Sequence, residues 1–198
     1  MKRLKLWIIV AIGLTLPAFA NPPQLKGDYV WTYSDTCLVS PSGFSVPPGL
    51  APAGGAALGQ TYSSSGADTG IEHFNGDGTG FVKGSGLNVS LGSPPLPANV
   101  GASASSFQFT YVFNSDDTFT MTTVPGTFVG SIPGTSPLAT FSINGNQWVG
   151  KVSNDAKSHT LTTVTPFVQV ITVNTNPPTI IYQMCRSNVV GFASSPAE

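Results

Sequence analysis

The stretch "FNGDGTG" (residues 74–80) decides the fold, because two weaker copies of it follow at a constant spacing. "FNSDDTF" begins at Phe113 and "VSNDAKSHTL" begins at Val152, so successive copies start 39 residues apart. Each copy places an apolar residue before a short polar cluster, and an alternating segment follows. Such clusters are typical of β-hairpin turns, where Asn, Asp and Gly tolerate a positive φ.

This spacing is too long for one hairpin loop, but it fits a unit of two strands and a connection. A weaker match, "YSDTC" (33–37), lies one further step back. About four such units predict about eight strands, which is a usual number for a small closed barrel. We therefore predict an all-β fold, a single antiparallel β-barrel of about eight strands. A β-sandwich is the alternative fold.

The same stretch also raises the alternative of a calcium site. Asn75, Asp77 and Thr79 alternate with glycines, much as oxygen ligands alternate in calcium loops. The later copies do not keep this pattern, and Lys83 stands where an EF-hand loop would carry its bidentate glutamate. We interpret the stretch as a turn and predict no metal site.

Several segments alternate between apolar and polar residues, which predicts strands with one packed face. The predicted packed positions are Phe107, Phe109, Tyr111 and Phe113 in one segment, Phe119 and Met121 in the next, and Ile180, Tyr182 and Met184 near the end of the chain. Segments 42–59, 90–103 and 124–139 are rich in Pro and Gly and predict long surface loops.

The first 20 residues, "MKRLKLWIIVAIGLTLPAFA", join a basic start to an apolar run and end in Ala-Phe-Ala. This pattern predicts a secretory signal peptide (1–20) cleaved after Ala20, an uncleaved membrane anchor being the alternative. Residues 21–198 then form one domain that is secreted or periplasmic, with no membrane span after cleavage. Residues 21–198 hold five basic against nine acidic residues, a balance that argues against a nucleic-acid partner.

The chain has two cysteines, Cys37 and Cys185, and in an oxidising compartment they predict one disulfide. Cys37 follows the first predicted strand and Cys185 lies in the last. Because the first and last strands of a closed barrel are neighbours, a bond between these two residues fits the predicted fold.

Residues with catalytic chemistry are few, and no nucleophile, metal or phosphate motif appears. We predict no catalytic residue and no cofactor. Glu72 and His73 are adjacent in a predicted strand, so their side chains face opposite ways and form no simple dyad. Arg186 is the only arginine after the signal peptide. If it points into the barrel, with Glu72 or Asp68 as its partner, it would orient a polar part of a ligand; a structural ion pair or a surface arginine is the alternative.

Three motifs together carry a resemblance: the "LKGDY" strand start (Leu25 to Tyr29), the turn from Phe74 to Gly80, and the late Cys185-Arg186 pair. With them the chain resembles secreted proteins of Gram-negative bacteria that share these features. The resemblance implies no activity and no site residues. The outline is also similar to calycin barrels such as lipocalins, although Tyr29 stands where their Gly-x-Trp signature has Trp.

The leading hypothesis is that the protein is not an enzyme and binds a small, largely apolar ligand inside the barrel. One alternative is a structural or interaction protein of the cell envelope or exterior, with a packed barrel and a strand at 167–173 as its contact surface. The other is a barrel enzyme of the isomerase or cyclase kind.

Overall fold

The computed structural model describes residues 24–40, 43–45, 61–91, 99–116, 118–133, 138–164, 168–174 and 176–194. The predicted signal peptide (1–20), most of the predicted loop 42–59 and Phe167 lie outside these ranges.

The described part of the chain forms strands and turns, without a helix. The strands are β1 (Gly27–Ser40), β2 (Tyr62–Phe74), β3 (Thr79–Leu91), β4 (Asn99–Phe113), β5 (Thr118–Thr123), β6 (Val129–Ile132), β7 (Ala139–Ile143), β8 (Gln147–Val152), β9 (Ser158–Thr163), β10 (Val168–Val173) and β11 (Thr179–Ala193).

All eleven strands belong to one antiparallel sheet, and this sheet closes on itself because β1 pairs with both β2 and β11. The ring follows the order β1-β2-β3-β4-β5-β8-β9-β11 and so contains eight strands. The prediction of an all-β, barrel-like fold of about eight strands is confirmed. The alternative, a sandwich of two separate sheets, does not match one continuous sheet.

Five strands of the barrel wall are long, with 13–15 residues each. Between two of them, β4 and β11, the wall consists of two separate sets of short strands, one at each end of the barrel. Beside residues 109–113, β4 pairs with β5, whereas beside residues 104–106 it pairs with β6. β11 forks in the same way, pairing with β9 at residues 188–192 and with β10 at residues 179–184. We call β5, β8 and β9 the first panel, and β6, β7 and β10 the second panel.

The half of the barrel closed by the first panel is filled with buried side chains. Its core is rich in aromatic side chains: Tyr29, Trp31, Phe74, Phe109, Tyr111, Phe119 and Trp148 are buried there together with Leu25, Val82, Met121, Leu161 and Val189. Leu25 precedes β1 and is fully buried, and its carbonyl accepts a hydrogen bond of 3.0 Å from the Tyr111 hydroxyl. This segment therefore plugs the end of the barrel.

Two of the three predicted packed faces are confirmed. Phe109, Tyr111, Phe119 and Met121 are buried, and Phe107 and Phe113 pack against them. The third face is wrong: Ile180 is exposed, and Tyr182 packs outside against Gly43. On β11 the odd-numbered positions face inward, because Cys185, Ser187 and Val189 occupy the buried side.

The three copies of the opening motif form the β2–β3, β4–β5 and β8–β9 turns, all at the plugged end. In the first copy the Asp77 Oδ1 accepts hydrogen bonds from the Thr79 backbone N–H at 3.0 Å and from its hydroxyl at 2.6 Å. Asp116 and Thr118 repeat this arrangement. These hydrogen bonds hold the pKa of the Asp77 carboxyl below its usual range. The interpretation of the motif as a turn is confirmed.

The predicted disulfide is confirmed and lies inside the barrel. Cys37 and Cys185 are directly opposite each other in the β1–β11 register, with Cα atoms 4.1 Å apart, and both are buried. The bond therefore ties the two strands whose pairing closes the ring.

Two of the predicted loops contain strands. Ser90 belongs to β3 and residues 99–103 belong to β4, although the segment is rich in small residues. Within 124–139, Val129–Ile132 forms β6. Gly130 fits this strand because Phe141 covers it: a Cβ there would lie 2.2 Å from the Phe141 ring.

We expect Gly78→Ala to lower the free energy of unfolding by about 1 kcal/mol or more, because residue 78 has a φ of +90° that costs an L-residue energy. Gly101→Ala is the matched control, since a Cβ there meets no atom within 4 Å and φ is not positive; its effect should stay within about 0.5 kcal/mol. Urea unfolding of both variants measures the difference, and equal effects would contradict the assigned turn geometry.

We expect the double variant Cys37→Ala/Cys185→Ala to lose roughly 4–5 kcal/mol of stability, because the bond closes a loop of 148 residues in the unfolded chain. Guanidinium unfolding of the variant and of the reduced wild type should give the same loss. A reduced wild type that unfolds at the same denaturant concentration as the oxidised protein would sink this expectation.

Candidate functional site

A cavity of about 360 Å³ occupies the half of the barrel closed by the second panel. Its aliphatic lining comes mostly from short strands and from the ends of long ones: Val39, Ile132, Ile143, Ile171, Val173 and Ile181. Val82, Met121, Trp148 and Val189 belong both to the packed core and to the cavity lining, so the core forms the floor. The interior is therefore packed at one end and hollow toward the other.

A ladder of four aromatic rings lines one side of the cavity and crosses from one panel to the other. Phe107 on β4 stacks on Trp148 of β8, with ring centroids 6.0 Å apart, and on Phe128, at 5.3 Å. Phe128 in turn meets Phe141 of β7 at 6.2 Å. We call these four residues the aromatic ladder. The ladder forms a broad apolar surface on this side of the cavity.

The opposite wall, on β1 and β2, carries two carboxylates, Asp35 and Asp68. Both occupy space left by glycines: a Cβ on Gly66 would lie 2.7 Å from Asp35 Oδ1, and one on Gly86 would lie 1.7 Å from Asp68 Oδ1. The Tyr33 hydroxyl donates a hydrogen bond of 3.0 Å to Asp35 Oδ2. The wall is thus an acidic patch in a mostly apolar cavity, whose lining also includes neutral polar side chains such as Asn88, Gln169 and Gln183.

Burial controls the protonation of this patch. Burial, together with the smaller effect of the nearby Asp35 charge, raises the pKa of Asp68 to about 6. Burial also raises the pKa of Asp35; the Tyr33 hydroxyl and the Gly66 backbone N–H oppose this rise, although Asp35 Oδ1 makes no hydrogen bond of good geometry. The pKa of Tyr33 lies well above its usual range because of burial and the Asp35 charge. Among the described lining residues there is no Lys, Arg or His to balance these carboxylates.

A third carboxylate, that of Glu72, reaches the cavity and pairs with His159 of β9. His159 Nε2 lies 2.8 Å from Glu72 Oε2, and both side chains are almost fully buried. The two atoms are at ion-pair distance without meeting the angular requirement of a hydrogen bond. Tyr29, Phe74 and Phe119 surround the imidazole edge-to-face, so the His159 side of the pair is enclosed by the aromatic core.

Of the predicted site residues, Glu72 faces the interior and lines the cavity. Arg186, the other candidate ligand-orienting residue, does not point into the barrel: it is exposed, as in the surface-arginine alternative, because its neighbours Cys185 and Ser187 take the inward positions of β11. Asp68, proposed as its partner, lies on the inner wall and cannot meet it. Residues 72 and 73 do face opposite ways, since His73 lies outside, where Nδ1 is 2.5 Å from Asp28 Oδ1.

Sequence reasoning missed Asp35, the role of Asp68 inside the cavity, and the Glu72–His159 pair. A signal for His159 exists in "SHTLTT" (158–163), where His159 and Leu161 alternate with threonines and share the buried face. Gly191 provides the room that the imidazole needs, because a Cβ there would lie 2.1 Å from the ring.

We expect Asp68→Asn to stabilise the protein at pH 8 but not at pH 4. The folded-state pKa of about 6 lies above the ordinary 3.8, so the stability that the neutral carboxyl contributes is complete below pH 3.8 and is lost as the pH rises through 6. At pH 8 the gain should be on the order of 1 kcal/mol, after allowance for solvent screening.

Urea unfolding at pH 4, 6 and 8 measures this gain. Asp116→Asn is the control, because that carboxyl is exposed in a turn and its pKa is lowered by hydrogen bonds from Thr118. An Asp68→Asn gain that is the same at all three pH values would contradict the buried, charge-coupled position of Asp68.

No protein-family model and no curated protein matches the chain. Among solved structures, the chain is similar to the enduracididine biosynthesis enzyme MppR, complexed with the condensation product of pyruvate and imidazole 4-carboxaldehyde. The identity is 6%, the match covers 84% of this chain and 88% of that chain, and the TM-score is 0.16. Within the described ranges, no helix has the length and apolarity that crossing a bilayer requires.

Proposed function

We propose that the protein is a secreted or periplasmic binding protein, not an enzyme, that holds one small, largely apolar molecule in its cavity. The observation that carries this proposal is the hollow half of the barrel, with about 360 Å³ of space between the aromatic ladder and the acidic wall. Cavities of roughly 300–1,000 Å³ with mostly apolar walls are typical of small-molecule sites.

The packing of the two halves supports the same function. The first-panel half already contains a large aromatic core. This core can stabilise the fold, so the other half does not have to be filled with side chains. Its lining residues, such as Ile171 and Ile181, stay partly accessible. A ligand that covers accessible apolar side chains inside a barrel removes apolar surface from water, which lowers the free energy of the complex.

The proposed location rests on the signal peptide predicted for residues 1–20 and is supported by the Cys37–Cys185 disulfide. Disulfides persist in oxidising compartments and are rare in the cytosol. The barrel would then meet its ligand in the periplasm or outside the cell.

We expect the neutral fluorescent probe N-phenyl-1-naphthylamine to bind saturably, with one site per chain, and to quench the fluorescence of Trp148 and Trp31, which line the cavity. Ser105→Phe should weaken this binding at least about tenfold, because Ser105 lines the cavity and a phenyl ring there occupies the ligand's space. Thr110→Phe is the control on the same strand, where the side chain is exposed on the outer face.

Binding that is unaffected by Ser105→Phe would place the probe elsewhere and count against a ligand cavity. No saturable binding to a folded, disulfide-bonded protein would also defeat the proposal, and would favour a structural or interaction role. Circular dichroism of both variants establishes that the fold is kept.

A further inference from the structure

Three carboxylates face one cavity, and the described lining offers no basic side chain to balance Asp35 and Asp68. The Glu72 carboxylate has the imidazole of His159 beside it, whereas the two aspartates have no such neighbour. An acidic group in a partly desolvated, apolar site is unfavourable unless a partner of opposite charge arrives.

Specific neighbours position the two carboxyl groups of the acidic patch. Tyr33 holds Asp35 through a hydrogen bond, and glycines at 66 and 86 leave the space in which the two carboxyl groups lie. The buried Asp35 Oδ1 makes no hydrogen bond of good geometry among the described residues.

Glu72, on the floor of the cavity, is the one of the three carboxylates that the chain itself balances. It is 1% exposed, stands on an inward-facing position of β2, and lines the cavity. Its Oε2 lies 2.8 Å from His159 Nε2, so it already has a partner within the barrel. The charges that lack a basic neighbour in the described lining are therefore those of Asp35 and Asp68.

Across the cavity, the aromatic ladder adds a second preference. Aromatic rings pack favourably against other aromatic and aliphatic groups. A ligand with a positively charged group at one end and an apolar body at the other therefore suits both walls. A carboxylate ligand would meet Asp35 and Asp68 with like charge and is disfavoured for that reason.

We propose that the ligand of this cavity is a cationic amphiphile, a small molecule with a protonated amine on an apolar, preferably aromatic, body. The amine lies against Asp35 and Asp68, and the apolar body lies against the aromatic ladder. This inference rests on the proposed function, since it names the class of molecule that the same cavity binds.

The test uses three probes of nearly equal size and shape: 4-phenylbutylamine, 4-phenylbutan-1-ol and 4-phenylbutyrate. Titration at pH 8, followed by tryptophan fluorescence and calorimetry, should rank the amine about tenfold or more above the alcohol, with the carboxylate weakest. At this pH the amine is protonated and Asp68 is ionised.

The double variant Asp35→Asn/Asp68→Asn should bind amine and alcohol equally, because it keeps the shape of the wall and removes its charge. Asp68→Asn alone serves as a second variant and should lose part of the preference. Asp116→Asn in the exposed β4–β5 turn is the matched control and should keep the full preference.

The outcomes separate the two proposals. If the amine and the alcohol bind the wild type equally well, the cavity binds ligands but the inferred amine specificity is wrong. The same conclusion follows if N-phenyl-1-naphthylamine binds while 4-phenylbutylamine does not. If none of these probes binds, both the ligand cavity and the amine specificity fail.

Discussion

The pairing of β1 with β11 is the interaction on which the rest of the structure depends. The two strands are aligned from Tyr29 opposite Ala193 to Ser40 opposite Tyr182, and this contact turns an open sheet into a ring. Without it both strands would present free edges, and the interior would be open along one side. The disulfide stands within this alignment, so a covalent bond holds the one contact between the beginning and the end of the described barrel.

Much of the fold could be predicted from the sequence, because turns and alternation are local signals. The Asn–Asp–Thr clusters carry their own hydrogen bonds, and the aromatic alternation around Phe109 shows which face is buried. In the second panel, β10 falls within the strand predicted at 167–173, whereas β6 and β7 escaped prediction because they have four and five residues and lie in or beside Pro- and Gly-rich sequence. The strand conformation of β6 and β7 depends on their pairing with β4 and β10, which is a long-range effect.

The candidate site was harder to predict, because it depends on which residues from distant strands face inward together. Arg186 shows the difficulty and also a remedy. A disulfide inside the barrel requires Cys185 to face inward, and the adjacent residue on a strand then faces outward. The same parity applied to Cys37 places Asp35 on the inner wall. No local pattern shows that Asp68 of β2 lies near Asp35, or that Gly66 and Gly86 leave room for the two carboxyl groups.

The forks of β4 and β11 affect which residues of this barrel can be substituted in evolution without loss of the fold. The first panel shares its residues with the aromatic core, so a substitution there disturbs the part of the molecule that secures folding. The second panel is short, contributes the cavity wall, and has none of its residues in that core. Substitutions at Ile132, Phe141 or Ile171 can therefore reshape the cavity at little risk to the scaffold, so the cavity can diverge by small steps while the framework is kept.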